Sequence, residues 1–201
     1  MKWNAERYDS WFDRNPHLLE SEIAAVRELM PRFDRGIEIG TGTGVFASRL
    51  GIREGLEPSA EMGRKAAGRG IWVIRAHAEN IPVEDGSYDF ALMATVDCFL
   101  DDVPRVFRET ARILRNNGCF LIAFLGRETA LGKIYQQRKF SNEFYRHADL
   151  HSSVEIVAML DEAGFRIDAA RQTVFSLENE PQPVAEGTGE GVFAVVRARK
   201  R

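Results

Sequence analysis

The sequence predicts an α/β fold, a seven-stranded and mostly parallel sheet with helices on both faces and an antiparallel last strand. Three observations carry this. Short, almost continuous apolar runs such as Ile71-Trp-Val-Ile74, Tyr88–Ala94 and Cys119–Leu125 alternate with stretches of helical periodicity. Strands apolar on both sides belong to a sheet covered on both faces, which crossover helices on a parallel sheet provide. A glycine-rich turn, Gly40-Thr-Gly42-Thr-Gly44, follows the first such run and opens a helix. Finally, Phe165–Phe175 and Val192–Ala198 are joined by a segment with Pro181, Pro183, Gly187, Gly189 and Gly191 and no helical periodicity, so these two strands pair antiparallel across a long loop.

In chain order, Leu19, Ile23, Val26 and Met30 give a helix over 17–30 that Pro31 stops. Gly36–Gly40 is the first strand, Val45–Leu50 a helix closed by Gly51, and Ile52–Glu57 a short strand. Ser59 is the expected N-cap of the next helix, after Pro58 breaks the strand. Ile71–Ile74 is a strand, 79–86 a loop with Pro82 and Asp85-Gly86, and Tyr88–Ala94 a buried strand. Val103, Val106, Phe107, Thr110, Ile113 and Leu114 form a helix face that Asn116-Asn-Gly118 is expected to end through a left-handed cap, before the strand Cys119–Leu125. The mixed segment 126–151 reads as an insertion, after which Ser152 and Glu155 form a capping box for a helix ending at Gly164.

At 201 residues the chain is long enough for one domain with a full core. A net charge of −3 gives no general attraction to nucleic acid or anionic membrane. Cys98 and Cys119 lie in apolar runs and read as buried free thiols, and the histidines His17, His77, His147 and His151 make no metal-ligand pattern with them. The polar start is unlike a signal peptide and no apolar run reaches a membrane span, so a cytoplasmic protein is expected.

The glycine turn lets a ligand approach the backbone without Cβ collisions, at the carboxyl ends of parallel strands where open α/β sheets bind ligands. A dinucleotide fingerprint needs G-x-G-x-x-G, but Val45 stands where its third glycine belongs and Gly44 comes one residue early. The turn therefore suits a nucleoside cofactor better than a pyrophosphate. Glu57 ends the second strand thirteen residues past Gly44, and its carboxylate can accept from both ribose hydroxyls.

Together these segments resemble the class I S-adenosylmethionine-dependent methyltransferases, in particular the small ubiquinone/menaquinone-biosynthesis type. The resemblance runs from about Tyr8 to the C-terminus. It is carried by Glu38-Ile-Gly-Thr-Gly-Thr-Gly44, Leu56-Glu-Pro-Ser59, Ala78-Glu-Asn-Ile-Pro82, Asp85-Gly-Ser-Tyr-Asp-Phe90, Ile113-Leu-Arg-Asn-Asn-Gly118 and Leu160-Asp-Glu-Ala-Gly-Phe165. It implies a Rossmann-like sheet and a single methyltransferase domain over 1–201, with an N-terminal helical lid over 1–30 and a substrate cap over 126–151. The cofactor is then S-adenosylmethionine and the product S-adenosylhomocysteine.

The resemblance also implies roles. Gly40, Thr41, Gly42 and Gly44 would wrap the methionine half of the cofactor, with Glu38 supporting the turn. Glu57, beside Pro58, would hold the ribose and Met62 would cover the adenine. His77, Ala78 and Glu79 would form the adenine-side loop, where the family usually has aspartate in place of His77. Ala94 and Thr95 would offer carbonyls to the cofactor's ammonium. The turn before the fifth strand, usually Lys-Pro-Gly-Gly, is here Arg115-Asn-Asn-Gly118.

Methyl transfer is an in-line displacement from an already activated donor, so positioning dominates and no metal or protein nucleophile is required. No catalytic residue is assigned. The acceptor pocket is expected between the N-terminal aromatics Tyr8, Trp11 and Phe12, which would precede the first helix, and Tyr135, Phe144, Tyr145 and His147 of the insertion, with Asp97 beyond the fourth strand. The acceptor is expected to be a small molecule, with no nucleic acid partner and an open oligomeric state. A non-catalytic cofactor-binding regulator has the same binding motifs, and a nicotinamide-dependent oxidoreductase is the more distant alternative.

Overall fold

The computed structural model describes residues 4–141 and 146–201. The helices are α1 (Ala5–Arg14), α2 (Pro16–Leu29), α3 (Val45–Leu50), α4 (Ala60–Gly68), α5 (Val103–Ile113), α6 (Ala130–Arg138) and α7 (Ser153–Glu162). The strands are β1 (Gly36–Ile39), β2 (Glu54–Leu56), β3 (Trp72–Ile74), β4 (Tyr88–Ala94), β5 (Leu114–Leu125), β6 (Phe165–Thr173), β7 (Ala185–Glu186) and β8 (Phe193–Lys200).

The sheet runs in the order β3-β2-β1-β4-β5-β8-β6-β7. The first five are parallel, and β8 lies antiparallel between β5 and β6. The expected seven strands are all present. An eighth, the two-residue β7, pairs antiparallel with the end of β6 inside the segment read from sequence as a loop. Two residues on an edge are too short to leave an alternation in the sequence.

Period-two alternation splits the apolar strands between two cores. Phe90 and Leu92 of β4 and Leu121 and Ala123 of β5 pack with Ile23 and Val26 of α2 and Phe46 of α3. Ala91, Met93, Phe120 and Ile122 face the other way, onto Val106 and Phe107 of α5 and Ile156 and Leu160 of α7. Phe120 sits edge-on to Phe107 at 5.5 Å between centroids and is fully buried, so truncating it to alanine would cost about 3–5 kcal/mol.

Two boundaries differ from the sequence reading. Tyr8–Phe12 does not precede the first helix but lies within α1, capped by the Asn4 side chain on the Arg7 amide at 2.9 Å. Ala5 and Phe12, seven residues apart, bury the same face, and the break before α2 comes at Asn15, followed by Pro16 in the first turn. At the other boundary, α5 ends at Ile113, three residues before the expected Asn116 cap. Leu114 is already extended and pairs with Tyr88, because its fully buried side chain belongs to the core. Asn117, at φ 62, then forms a bulge that carries the register from Leu114 to Cys119.

Candidate functional site

The strand order reverses between β1 and β4, so their carboxyl ends open a crevice. The turn after β1 fills one side of it. Gly40, Gly42 and Gly44 have φ of 72, 56 and 81, a region open to glycine. Their surroundings differ. A Cβ on Gly40 would lie 2.6 Å from Val96 Cγ2, and one on Gly44 would lie 3.1 Å from Ala66 Cα. A Cβ on Gly42 would meet only Tyr8 Cε1, at 3.9 Å. Gly40 and Gly44 are thus fixed by protein packing, whereas Gly42 faces open space beneath Tyr8.

Two carboxylates hold this turn from below. Glu38 is buried and accepts from the Thr41 hydroxyl at 2.6 Å and the Ala47 amide at 3.1 Å. The Ala47 amide is in the first turn of α3, whose cap residue Gly44 has no side chain to offer, so Glu38 satisfies an otherwise orphaned donor. Burial, only partly opposed by these donors, pushes the Glu38 carboxyl up to about 8. Glu57 accepts from the Gly42 amide at 3.0 Å through Oε2 and from the Ser59 amide at 2.8 Å through Oε1. It joins the glycine turn to the start of α4, where Ser59 is the N-cap, and burial raises its carboxyl above the ordinary value.

Around Glu57, Met62 is buried, Ala78 is buried, Glu79 is half-buried, and Pro58 and His77 are exposed. The Glu79 carbonyl accepts from Arg105 Nε at 2.8 Å, which fixes the loop after β3 against α5. Ala94 closes β4, and the half-buried Thr95 follows it with φ 55, a rare conformation for a β-branched residue.

The aromatic N-terminal helix lies against the glycine turn and α4. Asp9 of α1 accepts from the Thr43 hydroxyl at 2.6 Å and pairs with Lys65 at 3.1 Å and Arg69 at 3.0 Å. Burial opposes the Asp9 charge, but Thr43, Arg69 and Lys65 outweigh it and hold the carboxyl below its ordinary value. The Ala5 amide donates to Glu61 at 3.0 Å, so α1 is also tied to α4. Tyr8 is edge-on to Phe12 at 5.1 Å, and Trp11 packs on Phe12 at the same separation.

Beyond β4 the strained Thr95 leads into a single 3-10 turn, Asp97–Phe99. Asp97 is 1% exposed, and its Oδ2 lies 3.0 Å from Nδ1 of His151. Its Oδ1 is buried without a hydrogen-bond partner among the described residues. A buried polar atom left unpaired costs on the order of 1–3 kcal/mol, a cost that a donor on a bound molecule would remove. Burial raises the Asp97 carboxyl, against the pull of His151, while the bond to Asp97 raises the His151 imidazole.

Of the insertion residues, Tyr135 is half-buried on α6 and His147 is exposed, while Phe144 and Tyr145 lie outside the described residues. Two site groups carried no assignment from sequence. His151 stands next to a helix cap and is 54 residues from its partner, so no spacing announces it. Glu22 does leave a signal, a carboxylate on the apolar face of α2 between Leu19 and Ile23. It is 7% exposed, without a hydrogen bond or ion pair among the described residues, and burial pushes it up to about 8. Among the described residues no group of His, Cys, Asp and Glu gathers to hold a metal ion, and no helix is long and apolar enough to cross a membrane.

The chain has known relatives in sequence and in fold. A methyltransferase-domain family model matches residues 37–122. A crystal structure from Thermotoga maritima, a SAM-dependent methyltransferase described as a possible histamine N-methyltransferase, superimposes with a TM-score of 0.94 at 41% identity, over 98% of this chain and 95% of that one. An uncharacterized protein of Methanocaldococcus jannaschii is 39% identical over 98% of this chain and 96% of its own length. A methyltransferase from Mesorhizobium loti shares the fold at a TM-score of 0.70 and 20% identity, covering 90% of this chain and all of the other.

Proposed function

The chain belongs to the class I S-adenosylmethionine-dependent methyltransferases, and within that family we propose that it passes the methyl group to a small-molecule acceptor held between its N-terminal helices and the 126–151 segment. S-adenosylmethionine is the cofactor and supplies a methyl group already activated on a sulfonium. The residues present suit it. Gly42 faces open space that a side chain would fill, and beside it Glu57 is anchored by two amides yet keeps further lone pairs. That pairing of an open glycine with a held carboxylate is the observation that carries the binding role.

In this reading the turn Gly40–Gly44 holds the methionine half and Glu57 orients the ribose. Met62 and the Ala78 backbone bound the adenine, while Ala94 and Thr95 offer carbonyls to the ammonium. Tyr8 and α1 close over the crevice and exclude water, which strengthens every electrostatic contact inside it. The chain carries one modest insertion, including α6, with which to recognise an acceptor, and this favours a small molecule over a macromolecule. The Thermotoga maritima protein, described as a possible histamine N-methyltransferase, points to amines and imidazoles as the first acceptors to try.

The test is release of S-adenosylhomocysteine across a panel of small amines, imidazoles, phenols and thiols, run beside protein and RNA preparations. Turnover with a member of the small-molecule panel is expected. Turnover confined to protein or RNA would overturn the reading.

A further inference from the structure

We propose that His151 takes the proton of the methyl acceptor, held for that task by Asp97, and that the acceptor is therefore an N–H or O–H nucleophile. This rests on the methyltransferase reading above and adds to it the substrate class and a catalytic residue.

The placement comes first. Asp97 lies in the turn beyond β4, and its neighbour Val96 packs on Gly40 of the turn beyond β1. The dyad is therefore at the carboxyl end of the central strands, at the same end of the sheet as Gly42 and Glu57. His151 is brought there by the other side of the crevice. The Arg127 amide, past the end of β5, donates to the His151 carbonyl at 3.0 Å, and the Asp149 amide donates to the Cys98 carbonyl at 2.8 Å. These bonds fix the segment before α7 against the turn beyond β4, and bring together two side chains that lie far apart in sequence.

The chemistry follows from which ring nitrogen is used. An ionised Asp97 can only accept, so Nδ1–H donates to its Oδ2 across the 3.0 Å contact and Nε2 is left with its lone pair. Nε2 has no hydrogen-bond partner among the described residues, and the side chain keeps 21% exposure, enough for a ligand to reach it. Asp97 is sealed from solvent at 1%, and its Oδ2 holds the ring and its tautomer. Cys98, next to Asp97, and Ala148 and Leu150, in the segment that ends at His151, are buried in the apolar cluster that has Tyr8, Trp11, Phe99 and Tyr135 at its edge.

The step balances simply. The acceptor's lone pair forms the bond to the methyl carbon as the carbon–sulfur bond breaks, and that electron pair stays on sulfur as a neutral thioether. The acceptor's N–H or O–H proton passes to Nε2, giving an imidazolium beside the Asp97 carboxylate, and leaves to solvent afterwards. A thioether or tertiary amine has no such proton and makes no use of the dyad.

Four charged or titratable groups face the imidazole and shape its pH response. Asp97 and Glu155 of α7 favour its protonated form, Arg127 opposes it, and Asp149 in its own segment is coupled to it. Because the ring must be neutral to accept a proton, the rate should rise with pH through its titration.

The experiment uses the whole chain with S-adenosylmethionine and matched probes. Imidazole, phenethylamine and phenol each have a proton to lose, whereas pyridine and dimethyl sulfide have none. Turnover is expected with at least one of the first group and with neither of the second. His151→Gln should lower kcat roughly 10²–10⁴-fold and abolish the acidic limb of the rate profile, with S-adenosylhomocysteine affinity unchanged. Asp97→Asn should move that limb to lower pH, a displacement that a purely structural role would not produce. Undiminished kcat in His151→Gln, an unmoved limb in Asp97→Asn, preferred turnover of the probes without a proton, or no turnover of any N–H or O–H probe by protein that binds the cofactor would each overturn the proposal. Loss of cofactor binding by the wild type would instead count against the methyltransferase reading itself.

Discussion

Asp9 of the N-terminal helix accepts a hydrogen bond from the Thr43 hydroxyl at 2.6 Å, which ties α1 directly to the glycine turn. The same carboxylate pairs with Lys65 and Arg69 of the α4 region, so one side chain holds α1, the turn and the neighbouring helix together.

Asp9→Asn should therefore loosen α1. At neutral pH the loss is expected to be about 1 kcal/mol, in keeping with a partly buried ion-pair network. The folded Asp9 carboxyl lies below its ordinary value, so its contribution is full above the unfolded carboxyl's titration and is lost as pH falls through the folded one. Wild type and variant should converge on acidification. Hydrogen exchange over Ala5–Arg14 and the dissociation rate of S-adenosylhomocysteine, faster by roughly fivefold, are the measurements. Unchanged exchange would show that α1 is held without Asp9, by its aromatic packing and the Ala5–Glu61 bond.

Glu22 carries the opposite sign. Its folded carboxyl titrates at about 8 because burial disfavours its charge. Between the ordinary glutamate value and about pH 8 the unfolded chain releases a proton that the folded chain keeps, so this group makes stability fall as pH rises through that window. Glu22→Gln removes the penalty. Urea unfolding should find the variant and wild type alike near pH 4, and the variant more stable by on the order of a few kcal/mol above pH 8. Glu38 titrates in the same range in both proteins, so the difference isolates Glu22. A stability gap that does not vary with pH would refute the assignment.

Gly40 is required by packing as well as by backbone conformation. Its φ of 72 and the 2.6 Å approach of Val96 to a built Cβ both oppose a side chain. Gly40→Ala should cost on the order of 1–3 kcal/mol by urea midpoint at constant m, and Val96→Ala in the same chain should recover part of it. The residual loss, corrected for Val96→Ala alone, combines the left-handed backbone with the 3.2 Å approach of the Val96 Cβ that remains. Complete recovery would show that the backbone conformation carries no cost.

Much of this architecture is legible in local sequence patterns. The Glu38–Gly44 run, Glu57, the Ser59 cap and the Ser152–Glu155 capping box are local patterns, and all fall on the expected elements. What escaped was non-local or too short to leave a period. The Asp97–His151 pair joins segments that only the folded sheet brings together. Strand β7 has two residues. A helical start is expected over 1–30, but Tyr8–Phe12 lie inside α1 rather than before it, a boundary that the Asn4 cap on the Arg7 amide marks. The early end of α5 follows from Leu114 joining the core, which no cap signal shows.

The most direct measurement is calorimetric titration of S-adenosylmethionine and S-adenosylhomocysteine into wild type and Glu57→Ala. Glu57 holds both Gly42 and Ser59, and a ribose would take its remaining lone pairs. The expected result is binding of both ligands by wild type and a loss of roughly tenfold to a thousandfold in the variant, with the fold retained by circular dichroism. Wild-type protein that takes up neither ligand at millimolar concentration, or a folded variant that binds both as tightly as wild type, would contradict the assignment of this crevice.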